Sequence, residues 1–208
     1  MLQTTTLSEC TLVLLKRLQQ LPVLKGFRLV GGTALALQLG HRKSVDLVFF
    51  GNVSLTRDDI VEAVEDAGLE IIPQKNTLRI HIFEINKVKV DIVTLPYEWI
   101  EPPVQKEGVK MAGLKDIAAM KLEAITNRGS KKDFIDVYFL LQHFSLQQML
   151  DLYCAKYPKG AVFNVMRSLT YFEDAEDNKM PEMLANVQWE EIKSKIQKTI
   201  KDYGDTLP

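Results

Sequence analysis

The amino-acid sequence predicts an α+β fold: a small mixed or antiparallel sheet with helices on one face, followed by an all-α helical lobe. Three observations carry that reading. From Leu29 to Phe50 the chain runs through β-branched and aromatic residues, a glycine pair, an Ala/Leu/Gln segment and a second apolar run, the composition of strand, turn, helix, strand. Two runs alternating at period two follow between residues 78 and 92. From Leu114 onward the apolar spacing is helical to the end. Pro96, Pro102, Pro103 and Gly108 mark a linker, so the expected units are 1–110 and 111–208.

A length of 208 residues with 46% hydrophobic content supports one compact domain or two small lobes with a real core. The net charge of −1 excludes a global basic field, so any polyanion must be held by a local patch. Cys10 and Cys154 stand far apart and form neither a metal-ligand pair nor a disulfide framework, which fits a reducing compartment. The N-terminus lacks a basic leader followed by an apolar core. The run from Leu12 to Leu15 is broken by Lys16-Arg17, far short of a membrane span. A soluble cytoplasmic protein with no membrane partner is expected.

In chain order, Thr6 or Ser8 can cap a helix to about Gln20, with Leu12, Leu15 and Leu18 along one side. Pro22 stops it, and Gly26 precedes a strand that ends at Gly31-Gly32. A helix over 33–39 should close at Gly40 in the left-handed cap conformation. Val45 to Phe50 reads as a strand, in which Asp46, Val48 and Phe50 share one face. After the turn at Gly51-Asn52, Thr56 can cap a helix over 57–67 that ends at Gly68. Strands around Ile80 and Val90 are joined by Asn86-Lys87 as a tight turn. Asp91 then lies opposite Ile82, away from the face of Val88, Val90 and Ile92. Helices are expected at 114–127, 131–143, 146–157, 161–171 and 188–203.

The chemistry concentrates in a few residues. Gly31 and Gly32 at a strand-to-helix junction let backbone amides approach an anion such as phosphate. Thr33 can cap the helix or touch phosphate, and Arg42 offers a planar fork for it. Asp46 and Asp91 would be carboxylates on neighbouring strands facing one way, or simply residues of a solvated sheet face with Asp91 pairing with Lys89. Magnesium takes one or two carboxylates together with substrate phosphates. Lys121 has Ile117, Ala118, Ala124 and Ile125 as its helical neighbours, so it either reaches water or meets a fixed anion. Asp133 fits a capping box with Ser130, whereas Asp136 has no such local use. Arg128, Lys131 and Lys132 form a compact basic cluster suited to an RNA or triphosphate backbone, or an ordinary solvated helix start. His41, His81 and His143 are isolated and are not read as metal ligands.

Gly31-Gly32-Thr33-Ala34-Leu35, followed by Gly40-His41-Arg42-Lys43-Ser44-Val45-Asp46-Leu47-Val48-Phe49-Phe50, resembles the signature of the AbiEii/AbiGii-type nucleotidyltransferase toxins of the DNA polymerase beta-like superfamily. The likeness continues through Asp116 to Ile125, Arg128 to Leu141, Leu169 to Asp177 and Trp189 to Lys193, so it spans nearly the whole chain. It implies a nucleotidyltransferase-like first domain that moves a nucleoside monophosphate from a triphosphate to an acceptor hydroxyl. It further implies an RNA or tRNA 3′ end as acceptor and a cognate antitoxin as partner. By the same resemblance Asp46 and Asp91 would bind Mg2+ or Mn2+. Gly31, Gly32, Thr33, Arg42, Ser44, Lys121 and Asp133 would bind nucleotide. Lys121 would meet the triphosphate, with Asp136 orienting it or assisting the hydroxyl.

One position departs from the family pattern. Val48 stands where the family carries a second aspartate. Valine suits a strand, so the fold should survive, but two ligand oxygens are lost. The alternatives are a working metal-dependent transferase, a weakened or inactive member that binds nucleotide or a partner, or a chain in which Val48 was introduced to disarm a toxic enzyme.

Overall fold

A computed structural model describes residues 1–205. The chain forms two compact units, one of residues 1–97 and 102–112, the other of residues 98–101 and from Gly113 onward.

The first unit is built on one seven-stranded sheet. Its strands are β1 (Arg28–Leu29), β2 (Leu47–Gly51), β3 (Ile71–Asn76), β4 (Ile80–Ile85), β5 (Val88–Thr94), β6 (Val104–Lys106) and β7 (Val109–Met111), in the order β3-β4-β5-β2-β1-β7-β6. The pairs β2–β5 and β1–β7 are parallel and the others antiparallel, so the sheet is mixed. The hairpin β4–β5 turns at Asn86-Lys87, both at positive φ (45° and 63°), as a primed two-residue turn requires. That register puts Asp91 opposite Ile82, as the sequence predicts.

Alternation along the strands sends Leu47, Phe49, Phe83, Ile85, Val90 and Ile92 to a fully buried face. Helix α1 (Glu9–Gln20) packs on β7, α2 (Gly31–Leu39) on β2, and α3 (Arg57–Asp66) on β3. Ser8 caps α1 by accepting the Thr11 N–H at 3.1 Å, and Thr56 forms a capping box with Asp59. Gly40 ends α2 in the left-handed region.

Two sequence expectations need correction here. The stretch read as a linker contains the hairpin β6–β7, whose second strand joins the sheet beside β1. Strand β3 was not anticipated either; it carries Pro73, which an edge strand tolerates because its outer N–H groups have no ladder partner to lose.

The second unit is helical. It contains α4 (Leu114–Asn127), α5 (Lys131–Leu140), α6 (Leu146–Lys156), α7 (Val162–Leu169), the short α8 (Glu173–Glu176) and α9 (Trp189–Gly204). Helix α4 packs against α5, α6 and α7, and buries Ile117, Ala118, Ala119, Leu122 and Ile125. Phe134, Phe172 and Trp189 form an aromatic cluster with centroids 4.8–6.0 Å apart, which explains the packing role of the tail motifs. No helix among the described residues is long and apolar enough to cross a membrane.

Candidate functional site

In the first unit the glycine elbow is part of a helix start. Helix α2 begins at Gly31 itself, with Val30 as N-cap, so the expected start at Thr33 is two residues late. Gly31 has φ +68°, and a Cβ built there meets no heavy atom within 4 Å. Open room at Gly31 and the first-turn amides of half-buried Gly31 and Gly32 therefore coincide at this point, which suits an anionic ligand.

Thr33 does not cap the helix. Its hydroxyl, nearly fully buried, lies 2.7 Å from the Ser44 hydroxyl and donates to the Asp46 carbonyl oxygen. This ties the first turn of α2 to the chain entering β2. The same loop is held by the Ser44 N–H, which donates to Thr6 O at 2.9 Å. Arg42 is buried as well, with Nη1 donating to the Lys43 carbonyl at 2.9 Å, so the guanidinium braces this loop.

Asp46 precedes β2 by one residue, rather than lying inside the strand as the sequence suggested. The ladder starts at Leu47 because the Asp46 carbonyl is taken by Thr33 and not by a strand. The Asp46 carbonyl faces Thr33 and the Val48 carbonyl accepts the Val30 N–H at 2.8 Å, so both point toward β1 and α2. Residues two apart in extended chain turn alike, which gives Asp46 the face of Val48. On β5 the partner of Val48 is Asp91. The open face of the sheet thus carries Asp46 and Val48 on one strand, with Lys89 and Asp91 on the next. Lys89 Nζ lies 3.3 Å from Asp91 Oδ2, and the Asp91 side chain is 20% exposed.

No group of three or more His, Cys, Asp or Glu placed to hold a metal occurs among the described residues. Val48 accounts for this at the acid pair, since it occupies the position facing Asp91. Asp46 and Asp91 are the residues that could hold a hard divalent ion, provided that phosphate oxygens and water completed its shell.

The second unit carries its own charged network. Lys121 is 4% exposed and lies 2.9 Å from Asp133 Oδ1 and 2.6 Å from Asp136 Oδ2, so it meets two fixed anions. Arg128 reaches Asp133 through Nε and Nη2 at 2.8 and 2.9 Å, and the Ser130 hydroxyl donates to Asp133 Oδ2 at 2.6 Å. The capping box expected from Ser130 and Asp133 is therefore not made: the hydroxyl turns to the carboxylate and gives no cap hydrogen bond. Burial pushes the Asp133 carboxyl up, but Lys121, Arg128 and Ser130 outweigh it and hold the group well below the usual carboxylate range. Asp136 finds its cation in Lys121, across the helix pair, whereas local spacing had offered only Lys132.

Sequence reasoning missed a second buried pair. Lys156 Nζ lies 2.7 Å from Asp116 Oδ1, donates to Glu98 O and sits 4.7 Å from the centroid of the Trp99 ring. Asp116 also accepts the N–H groups of Ile100 and Glu101 at 3.0 and 3.2 Å. The one available signal was a lysine and an aspartate at otherwise apolar helical positions.

Comparison with known proteins adds three kinds of likeness. A family model described as the nucleotidyl transferase AbiEii toxin, of type IV toxin–antitoxin systems, matches residues 13–207. An uncharacterised protein of Aquifex aeolicus is 33% identical over 199 residues, covering 91% of this chain and 93% of its own. Among solved structures, an H. pylori protein described as a candidate nucleotidyltransferase shares 19% identity with a TM-score of 0.61, covering 97% of this chain and 99% of its own. The Mycobacterium tuberculosis nucleotidyltransferase toxin MenT4 shares 18% identity with a TM-score of 0.53, covering 91% and 82%. At those identities the structural likeness speaks for the fold.

Proposed function

The chain belongs to the AbiEii nucleotidyl transferase toxin family, and from that premise we propose that it transfers a nucleoside monophosphate from a triphosphate to an acceptor hydroxyl. The acceptor proposed is an RNA or tRNA 3′ end, the setting the cytoplasm, and the regulating partner a cognate antitoxin. The observation that supports this most is the joining of the glycine elbow to the acid face. The Thr33 hydroxyl links the first turn of α2 to Asp46, and the β2–β5 register brings Asp91 onto the same face.

Each residue has a stated task in this reading. Gly31 and Gly32 leave the first amides of α2 open to a phosphate group. Thr33, Ser44 and Arg42 fix the loop that delivers Asp46, so their part in nucleotide binding is positional. Asp46 and Asp91 would hold Mg2+ or Mn2+, which when bound supplies charge stabilisation to the transferring phosphoryl group. Asp46 is the nearer to the elbow and is the carboxylate proposed to face the attacking hydroxyl. In the second unit Lys121, Asp133 and Asp136 form a preorganised charged set. Lys121 and Asp136 are proposed to serve nucleotide binding from within that set, with Asp136 orienting Lys121.

A second reading is favoured by one observation, that Val48 faces Asp91. Loss of a ligand that supports several kcal/mol of charge stabilisation would slow transfer by roughly a hundredfold or more, leaving a nucleotide-binding or partner-binding member of the family. Incubating the protein and Val48→Asp with labelled triphosphates, Mg2+ or Mn2+ and total tRNA separates the two. Labelling by the unaltered chain supports the first reading, and labelling only by Val48→Asp supports the second. If neither form labels tRNA or binds triphosphate, the site as drawn is wrong.

A further inference from the structure

The parallel register pairs Leu47 with Val90 and Val48 with Asp91. Continued one step back, it sets Asp46 level with Lys89, about 4.8 Å away at the backbone across neighbouring strands. Four residues thus mark the corners of a small rectangle on the open face of the sheet, about 4.8 Å between strands and about 6.6 Å along them. The two acids, Asp46 and Asp91, lie on one diagonal, with Lys89 and Val48 on the other. Lys89 stands two residues along its own strand from Asp91, and the register continued beyond the ladder sets it level with Asp46. Its Nζ is 3.3 Å from Asp91 Oδ2. The side chain is 47% exposed, so it is free to swing out without unpacking the core.

We propose that Lys89 is the site's own counter-ion, a tethered ammonium that lowers the affinity of the acid pair for a free divalent ion. A metal then enters only together with a triphosphate. The proposal rests on the reading of Asp46 and Asp91 as the metal-facing acids and adds an order of binding to it. The physical reason is competition. With Val48 in place, Asp46 and Asp91 are the two carboxylates of the group, with Glu84 paired to Lys89 from the far side on β4, and the one ammonium offsets part of the charge of the acid pair. A metal arriving alone must displace that ammonium and still lacks ligands. A metal arriving on a triphosphate brings oxygens of its own, and the displaced Lys89 can turn to the phosphate charge. Lys89 is a positioning residue in this account, acting through the carboxylates.

Binding of Mn2+, followed by electron paramagnetic resonance, tests the order. The comparison uses the intact protein, Lys89→Met and Lys89→Arg, each with and without a mixture of the four non-hydrolysable nucleoside triphosphate analogues. The intact protein should bind Mn2+ weakly alone and more tightly with the analogues, beyond what the analogues hold by themselves. Lys89→Met should bind Mn2+ alone about two- to fivefold more tightly, as expected for removing a half-exposed competing charge, and should show a smaller analogue effect. Lys89→Arg should behave as the intact protein does. If the analogues help and Lys89→Met leaves metal-alone affinity unchanged, the role of Lys89 is overturned and the two-acid site stands. If no form takes up Mn2+ under any condition, the two-acid site falls and this inference with it.

Discussion

At the scale of single residues, charge inside the second unit is tolerated because each member meets an opposite partner. Lys121, Asp133 and Asp136 are almost wholly inaccessible, and an ion pair broken at such a depth leaves an uncompensated charge. Asp133→Asn should therefore lower stability by about 3 kcal/mol at neutral pH, read by urea unfolding. The pH dependence follows from the depressed Asp133 carboxyl. Its folded value lies below the unfolded value of about 3.9, so its stabilisation is complete above that value and is lost as pH falls through the folded one. The gap between the intact protein and Asp133→Asn should be flat from neutrality to about pH 5 and narrow below about pH 4. A gap that widens on acidification would show that Asp133 is not the charged partner described. Sequence spacing singled out Lys121 and Asp136 correctly as unexplained by local structure. Spacing alone could not pair them, because the pairing depends on how α4 and α5 cross; the resemblance was what set Asp136 beside Lys121.

At the scale of elements, the α2–β2 connection shows what local sequence determines and what it does not. Helix α4 spans Leu114–Asn127, the range its apolar spacing predicts, and the β4–β5 hairpin falls at Asn86-Lys87 as turn chemistry requires. Both are local features. The register of β2 on β5 joins segments some forty residues apart, and nothing in either segment states it; it had to come from the structure. Strands β6 and β7 are three residues each, too short for periodicity to register, and they exist because β1 offers an edge. The junction that delivers Asp46 is likewise non-local, since it depends on the Thr33 hydroxyl. Thr33→Val keeps the shape and removes the donor, leaving the Asp46 carbonyl and the Ser44 hydroxyl without it. Stability should fall by about 1–2 kcal/mol, and triphosphate binding should weaken beyond that loss, as read by calorimetry. Unchanged binding by a folded Thr33→Val would mean that the elbow and the acid face work independently.

At the scale of the whole molecule, the chain passes between its two compact units three times, at 97–98, 101–102 and 112–113. The prolines placed a single boundary near residue 110, and they could not show that residues 98–101 leave the first unit before the chain returns to it. The cause is a set of polar contacts made by residues far apart in sequence. Asp116 accepts the Ile100 and Glu101 N–H groups, while Lys156 holds the Glu98 carbonyl and lies over Trp99. The Glu101 carboxylate in turn accepts the Lys115 N–H at the start of α4, and Gly113 leaves it room, since a Cβ there would lie 1.9 Å from Glu101 Oε1. This strap is thus secured by one buried ion pair with both partners inaccessible. Lys156→Met preserves the length and apolar stem of the side chain and leaves the Asp116 carboxylate buried without its ammonium. It should destabilise the second unit by about 3 kcal/mol, because an isolated buried carboxylate is costly. Hydrogen exchange at the Ile100 and Glu101 amides should speed up under conditions where the α4 interior stays protected, since those amides depend on Asp116 and not on a ladder or helix. The double variant Lys156→Met with Asp116→Asn should recover part of the stability, because it removes the stranded charge and keeps an acceptor for one of the two amides. If exchange at 100 and 101 is unaltered in Lys156→Met, the ion pair is not what ties this segment into the helical unit.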